Sequence, residues 1–578
     1  MNQVDSGGGQ SNEARASVSG GYLLAKMLQL HGVGPIFGMG GFQLLPFYAA
    51  IRELGLRHHL VNDERTGAFA ADAYARASGR VGVCDATLGP GATNLVTPLA
   101  ESLNAGVPLI AIVGGTHRDY SGRHMTQECD QALILRPCAK LFLRVESPKR
   151  IPELVRRAFG VATAGRPGPV VIEVPEDIAH GTLECPDQEL WIDERALAPG
   201  GRRFRADPND VELAAALIRR SHRPLLLVGG GIHLSAAYEA LRNFAEKLSV
   251  PVANTISGKG AIPCVHDLSV GVFGRYSRFA NDLIQSADLL IAVGTKLGEI
   301  ATKRYTLIPP ATPLIHIDVE PREINRTCKA AVALVGDARL NLDDLSAAAL
   351  VSDSIDRSAW ITNVSTQRKL WTETSRSQLE SDETPITVAR LVHELNVCLP
   401  ADAVLVTDGG FATHWTALFY DTKAAGRSYI ADRGLASIGY GLPGAIGAKL
   451  ARPGSAVVGL TGDGGLNMCL GDLETASRIG LPFVLIVVNN AASGYVKALQ
   501  HFMLDGRYQS ADLSDLDYAS IATYLNCAGF TVREPDHLAE VILQALELDR
   551  PTIIDVKVTR NPARMLPGMD SRLTPTTS

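Results

Sequence analysis

The chain has no C-x-x-C pair: its nine cysteines are scattered from Cys84 to Cys527, which removes the usual structural zinc site and the dithiol redox couple. It has no excess of positive charge either. A formal net charge of −6 with 20% charged residues lacks the electrostatic footprint of a nucleic-acid binder. Nor does any run reach the roughly 20 uninterrupted apolar residues that span a bilayer, because glycine, proline or charge interrupts each one. The cysteines, Cys129 included, read as reduced core residues. The chain reads as soluble and cytoplasmic, with no nucleic-acid or membrane partner. Its opening, MNQVDSGGGQSNEARAS, has no apolar stretch of the kind a secretory signal needs and is expected to be a disordered tail.

What is present is a multidomain globular chain: 578 residues at 46% hydrophobic composition exceed what one core can organise. Short apolar β-branched runs alternate with helix-length amphipathic stretches, the pattern of parallel α/β units. The spacing predicts three doubly wound parallel-sheet domains: an N-terminal one over 18–185, a central one over 203–350 and a C-terminal one over 380–565, with tails at 1–17 and 566–578. A proline- and glycine-punctuated linker, ECPDQELWIDERALAPGGRRFRADP, follows the first domain. The charged, serine-rich stretch from 352 to 384 is expected to be an exposed helical connector. RPGPVVIEVP near the end of the first domain and DRPTIIDVKV near the end of the third form a faint echo, compatible with two related halves.

The stretch GSAVVGLTGDGGLN places Asp463 after a buried-strand pattern, in a glycine turn where backbone can approach a ligand closely. One short helix, LGDLETASRIG, and the strand PFVLIVV then lead to Asn489 and Asn490. A strand–helix–strand unit returns Asn490 to the sheet edge where Asp463 lies. A carboxylate and an amide oxygen are hard ligands for Mg²⁺, which completes its octahedron with phosphate oxygens and water. The pair therefore points to a diphosphate.

This segment resembles the diphosphate-binding motif of thiamine-diphosphate enzymes, in particular the acetolactate-synthase and pyruvate-decarboxylase group, and the resemblance extends over nearly the whole chain. VNDERTGAFAADAYARASGR (61–80), TLGPGATNLVTPLAES (87–102) and ADRGLASIGYGLPGAIGAKLA (431–451) match further segments of that family in the same order. The resemblance implies pyrimidine-binding, central and diphosphate-binding domains, in that order, and assigns Glu64 to the aminopyrimidine ring nitrogen. Gln127, in GRHMTQECDQALILRPCAK, is placed beside the reacting carbonyl. Pro90, Asn94, Gly410, Phe411, Ala436, Ile438, Gly462, Asp463, Gly464, Gly465, Asn490 and Ser493 are placed around the cofactor, with Ile438 as the wedge that bends it. Mg²⁺ falls to Asp463, Asn490 and the carbonyl of Ala492.

In that family the glutamate-bearing domain of one subunit faces the diphosphate domain of another, so a homodimer is implied, with a homotetramer as the common larger form. The alanine-rich helix 68–77 suits such close packing. The implied activity is decarboxylation of a 2-oxo acid and transfer of the acyl carbanion to a carbonyl acceptor. A 2-hydroxyacyl-CoA or 2-hydroxyketone lyase without decarboxylation is the alternative, and a catalytically inactive regulatory or structural homologue is the alternative of another class. Leu499 stands where biosynthetic acetolactate synthases carry tryptophan, and Phe411 and Ala412 replace a Gln-His pair. The central domain resembles those that bind FAD, ADP or coenzyme A, with Asp318 in HIDVEP suited to a ribose hydroxyl. GTKLGEIATKRYTL (294–307) departs from the FAD pattern, leaving an empty domain as a further alternative.

Overall fold

A computed structural model describes residues 17–185, 187–350 and 355–568. The expected tails at 1–17 and 566–578 lie outside those residues, apart from Ser17 and 566–568. Ser17 pairs with Glu184 in a small antiparallel ladder, and Met565 and Leu566 pack with Ala492 and Ala498.

Three six-stranded parallel sheets carry the fold. The first comprises β1 (Ile36–Met39), β2 (His58–Leu60), β3 (Gly82–Ala86), β4 (Leu109–Gly115), β5 (Leu141–Arg144) and β6 (Pro169–Pro175), in the order β2-β1-β3-β4-β6-β5. The second comprises β7 (Pro224–Val228), β8 (Val252–Asn254), β9 (Ser269–Val272), β10 (Leu289–Val293), β11 (Leu314–Asp318) and β12 (Val332–Val335), in the order β9-β8-β7-β10-β11-β12. The third comprises β13 (Val404–Thr407), β14 (Tyr429–Ala431), β15 (Val457–Gly462), β16 (Val484–Asn489), β17 (Ala528–Val532) and β18 (Thr552–Lys557), in the order β14-β13-β15-β16-β18-β17. The central strands of each sheet are buried almost throughout and mostly apolar, as expected where helices cover both faces.

The first and third sheets share one strand order, and the echoing segments RPGPVVIEVP and DRPTIIDVKV form the same sixth strand in each, β6 and β18. The middle sheet has the order typical of dinucleotide-binding folds, with its switch point between β7 and β10.

Five helices position the site: α1 (Glu64–Ser78), α2 (Val96–Ala105), α3 (Ser358–Leu379), α4 (Phe411–Phe419) and α5 (Gly441–Ala451). The small-residue face of α1, read from sequence as suited to contact between subunits, packs on α5 of its own chain; a Cβ at Gly447 would stand 2.0 Å from the carbonyl oxygen of Ala70. Tyr440 donates to Asp72 at 2.8 Å across the same contact. The connector α3 is helical but only partly exposed. Trp360 is buried and donates to the carbonyl of Pro224 at 3.0 Å, while Trp371 stacks on Phe419, so α3 ties the central domain to the C-terminal one.

Candidate functional site

Gly462 closes β15 and Asp463 opens α6 (Asp463–Asn467), which is followed by α7 (Asp472–Arg478). Two helical pieces thus replace the single one expected, and Asp463 starts a helix rather than sitting within a turn. Asp463 is 2% exposed; its Oδ1 accepts from the Gly464 amide at 2.8 Å, while its Oδ2 is buried without a partner. Burial pushes the carboxyl up to about 6, against the lowering effect of the amides of Gly464, Ala491 and Ala492. After β16 the chain turns left-handed at Ala491 (φ +48).

The two asparagines divide. Asn490 Oδ1 accepts from the Ala492 amide at 3.1 Å, on the Asp463 side. Asn489 turns its Nδ2 to Asp555 at 2.9 Å and to the carbonyl of Leu516 at 3.1 Å. The Ser493 amide donates to the carbonyl of Ala511 at 2.8 Å and leads into α8 (Gly494–Met503).

Next to this group lies a hub that sequence reading missed. Asp408, 1% exposed, accepts on Oδ1 from the amides of Gly409 (2.7 Å), Gly439 (2.9 Å) and Tyr440 (3.0 Å), and on Oδ2 from Thr461 Oγ1 at 2.5 Å. A Cβ at Gly465 would stand 2.2 Å from that Oδ2, which is why the motif needs its last glycine. Gly410 takes φ +67 and ψ −113, a conformation only glycine adopts at little cost, and leads into α4. Phe411 lies beside Asn490, since a Cβ on Gly494 would contact both side chains. Ile438 is 44% exposed, with its Cγ2 beside Gly410. The structure therefore brings Gly410, Phe411, Ile438, Gly462–Gly465, Asn490, Ala492 and Ser493 into one neighbourhood. Ala436, at φ +59, borders it, with its N–H committed to Glu101 at 3.2 Å.

Glu64 belongs to a second neighbourhood. It opens α1 behind the capping residue Asp63, is 6% exposed and accepts from Asn94 at 2.9 Å on Oε2. The short helix from Pro90 to Asn94 wraps the carboxylate closely: a Cβ at Gly91 would be 2.9 Å from Oε1. Gln127, exposed and left-handed at φ +67, touches this helix through its backbone, its carbonyl oxygen 2.1 Å from where a Cβ on Gly89 would be. Within the chain the start of α1 docks on the C-terminal domain through the Asn62 amide to Asp472 at 2.8 Å and Arg65 to the carbonyl of Met468 at 2.5 Å.

A cavity of about 400 Å³ occupies the central domain. Gly229–Gly231 after β7, Gly294–Lys296 after β10 and Asp318 at the end of β11 line it, so it opens at the switch point of the sheet. Arg166 and Arg433 reach it from the two neighbouring domains. Burial raises the Asp318 carboxyl and lowers Lys296 to about 8.

Asp408 carried a legible signal: it follows VLVT and precedes two glycines, the signature that singled out Asp463. Glu101 carried none, being one acidic residue inside an ordinary helix pattern. Among the described residues no group of three or more His, Cys, Asp and Glu side chains is placed to hold a metal. One carboxylate with amide and carbonyl oxygens is instead the donor set of a hard cation shared with a phosphate.

Three family models match the chain: the thiamine pyrophosphate enzyme N-terminal TPP binding domain over residues 18–134, the central domain over 211–345 and the C-terminal TPP binding domain over 408–556. The probable acetolactate synthase large subunit of Methanocaldococcus jannaschii is 34% identical over 95% of this chain and 93% of its own length. The acetolactate synthase large subunit of Parasynechococcus marenigrum is 34% identical over 96% and 90%. The acetolactate synthase isozyme 2 large subunit of Escherichia coli is 31% identical over 94% and 96%. With all three domain models in order and similarity running from end to end, the chain belongs to the thiamine pyrophosphate enzymes, as an enzyme of the acetolactate-synthase type.

Proposed function

We propose that the protein uses thiamine diphosphate and Mg²⁺ to decarboxylate a small 2-oxo acid and transfer the acyl unit to a carbonyl acceptor. One observation carries the cation: the buried Oδ2 of Asp463 has no partner, and a buried carboxylate oxygen without one is costly unless a cation meets it. Asp463, Asn490 and the carbonyl of Ala492 would hold Mg²⁺, and Gly464 and Gly465 leave their backbone open to the diphosphate. The bound thiamine supplies a carbon nucleophile and an electron sink. Glu64, oriented by Asn94, would share one proton with the ring nitrogen, the protonated carboxyl donating to the nitrogen lone pair or the carboxylate accepting from the protonated ring. Ile438 would support the ring, and Gln127 would face the substrate.

Glu64 and Asp463 lie in separate neighbourhoods, and apolar side chains stand exposed on the stretch that carries Ile438, Leu435 at 49% and Ile438 itself at 44%. A second copy that covers them fits a homodimer, or a homotetramer built from it, in which Glu64 serves the partner's cofactor. Cysteines left free throughout the described residues suit the cytoplasm. The central cavity suits the nucleotide portion of FAD, ADP or coenzyme A, with its glycines against the phosphates and Asp318 on the ribose.

The half-buried Leu499 on α8 and Phe411 beside Asn490 favour a second reading, cleavage of a 2-hydroxyacyl thioester or 2-hydroxyketone without decarboxylation. Purified protein with thiamine diphosphate and Mg²⁺ separates the two when offered 2-oxo acids and 2-hydroxyacyl thioesters. CO₂ from a 2-oxo acid supports the first reading; an aldehyde or ketone without CO₂ supports the second. Neither product, with the cofactor bound, would mean an inactive homologue, against which the retention of Glu64, Asp463 and Asn490 argues.

A further inference from the structure

The stretch from Gly434 to Tyr440, which carries Ile438, is gripped at both ends by buried carboxylates from different domains. At its start Glu101 on α2, 0% exposed, accepts from three successive amides: Gly434 at 2.8 Å on Oε1, then Leu435 and Ala436 on Oε2, the last at 3.2 Å. At its end Asp408 accepts from Gly439 and Tyr440. Arg76 of α1 ties the first grip down, donating to Glu101 Oε1 at 2.8 Å and to the carbonyl of Ala431 at 3.0 Å. The fit is close, since a Cβ at Gly434 would lie 2.2 Å from the Glu101 carbonyl oxygen. Between the grips Ala436 is held left-handed at φ +59, which a non-glycine residue keeps only when its surroundings impose it, and Ile438 projects.

We propose that Glu101 is a positioning residue: its carboxylate holds Gly434–Ala436 against the N-terminal domain so that Ile438 stands ready under the ring of bound thiamine diphosphate. The inference rests on the cofactor reading above. An acceptor with no donor of its own is required, because three N–H groups and a guanidinium converge on one side chain. In Glu101→Gln the amide nitrogen turns a donor on the backbone amides or on Arg76, leaving buried donors unpaired.

The test measures thiamine diphosphate affinity by calorimetry in saturating Mg²⁺, and amide exchange over 434–440 in cofactor-free protein. The proteins compared are the unmodified chain, Glu101→Gln, Ala436→Val and the double variant Glu101→Gln/Ala436→Gly. Glu101→Gln should bind the cofactor at least ~10-fold more weakly, as expected for a lost charged hydrogen bond, and exchange the 434–436 amides faster. Glycine at 436 takes positive φ freely and should restore part of the affinity, which damage to general packing would not allow. Ala436→Val leaves Glu101 in place and should weaken binding as well, so the proposal stays testable if Glu101→Gln does not fold. Unchanged affinity and exchange in Glu101→Gln, unchanged affinity in Ala436→Val, or a double variant weaker than the single one overturns the proposal. Failure of the unmodified chain to bind thiamine diphosphate would sink the cofactor reading instead, and the exchange arm would then decide the grip alone.

Discussion

Replacing Asp463 by asparagine should make the cation-free protein more stable while removing its response to Mg²⁺ and thiamine diphosphate. Burial carries the carboxyl from 3.8 to about 6, and at 1.36 kcal/mol per pKa unit the ionised form costs the cation-free fold about 3 kcal/mol. The folded state holds this proton more tightly than the unfolded chain. Its relative stability is therefore fully present below about pH 4, is lost as pH rises through about 6, and stays lost above. Asparagine keeps the oxygen that accepts from Gly464 and removes the charge. The variant should match the wild type near pH 4 and exceed it by up to ~3 kcal/mol near pH 7.5. Added Mg²⁺ and thiamine diphosphate should reverse the order, since only the wild type gains binding free energy. Because a three-domain chain need not unfold in one step, the assay is amide exchange over β15 and β16, comparing the two proteins at equal pH. A variant less stable than the cation-free wild type at pH 7.5, or one that still binds the diphosphate through Mg²⁺, would refute the argument.

Glu64→Gln should keep cofactor affinity in calorimetry while turnover falls by at least ~100-fold, in line with the usual contribution of proton transfer. Gly447→Val would drive a side chain into the Ala70 carbonyl, 2.0 Å from the first added carbon; parting α1 from α5 should cost ~1–3 kcal/mol or more, seen as a lower denaturant midpoint. Adding ADP, FAD or coenzyme A at about 100 times Kd should stabilise the central domain by ~2.7 kcal/mol in a melting or exchange experiment. Gly294→Val, where a Cβ would meet Gly231 Cα at 2.6 Å, should abolish that response. No response to any of the three would assign the cavity to packing.

The strand-end positions of Asp463 and Asn490 were legible because a short apolar strand, glycines and a second strand fix where the chain must emerge. The three domains were legible for the same reason: buried parallel strands are continuous apolar runs, and PLIAIVGG and PVVIEVP became β4 and β6 almost residue for residue. The helix count between Asp463 and Asn490 was not, because Met468–Gly471 breaks the helix without proline. Asp408's place at a strand end was legible, but the partners that Asp408 and Glu101 hold were hidden for a deeper reason. Each acts by accepting backbone N–H groups from segments tens or hundreds of residues away, Gly439 and Tyr440 in one case and Gly434–Ala436 in the other. Amide donors are present at every non-proline position, so nothing in the sequence marks which ones a distant carboxylate will collect.

The shared strand order of the outer domains gives the echo in the sequence a physical sense. Two copies of one parallel scaffold present different chemistry at their strand ends. One offers Glu64 under the short Pro90 helix; the other offers Asp463 beside Asn490. One helix entrance in each outer domain uses the same backbone conformation, Gly89 at φ +67 and ψ −108 before Pro90 and Gly410 at φ +67 and ψ −113 before Phe411, although the two glycines follow different strands. The central domain has a different strand order, and its large cavity opens at its own switch point, between β7 and β10. The residues proposed to meet ligands therefore sit at strand ends and in the loops beyond them, while the two outer sheets keep one strand order.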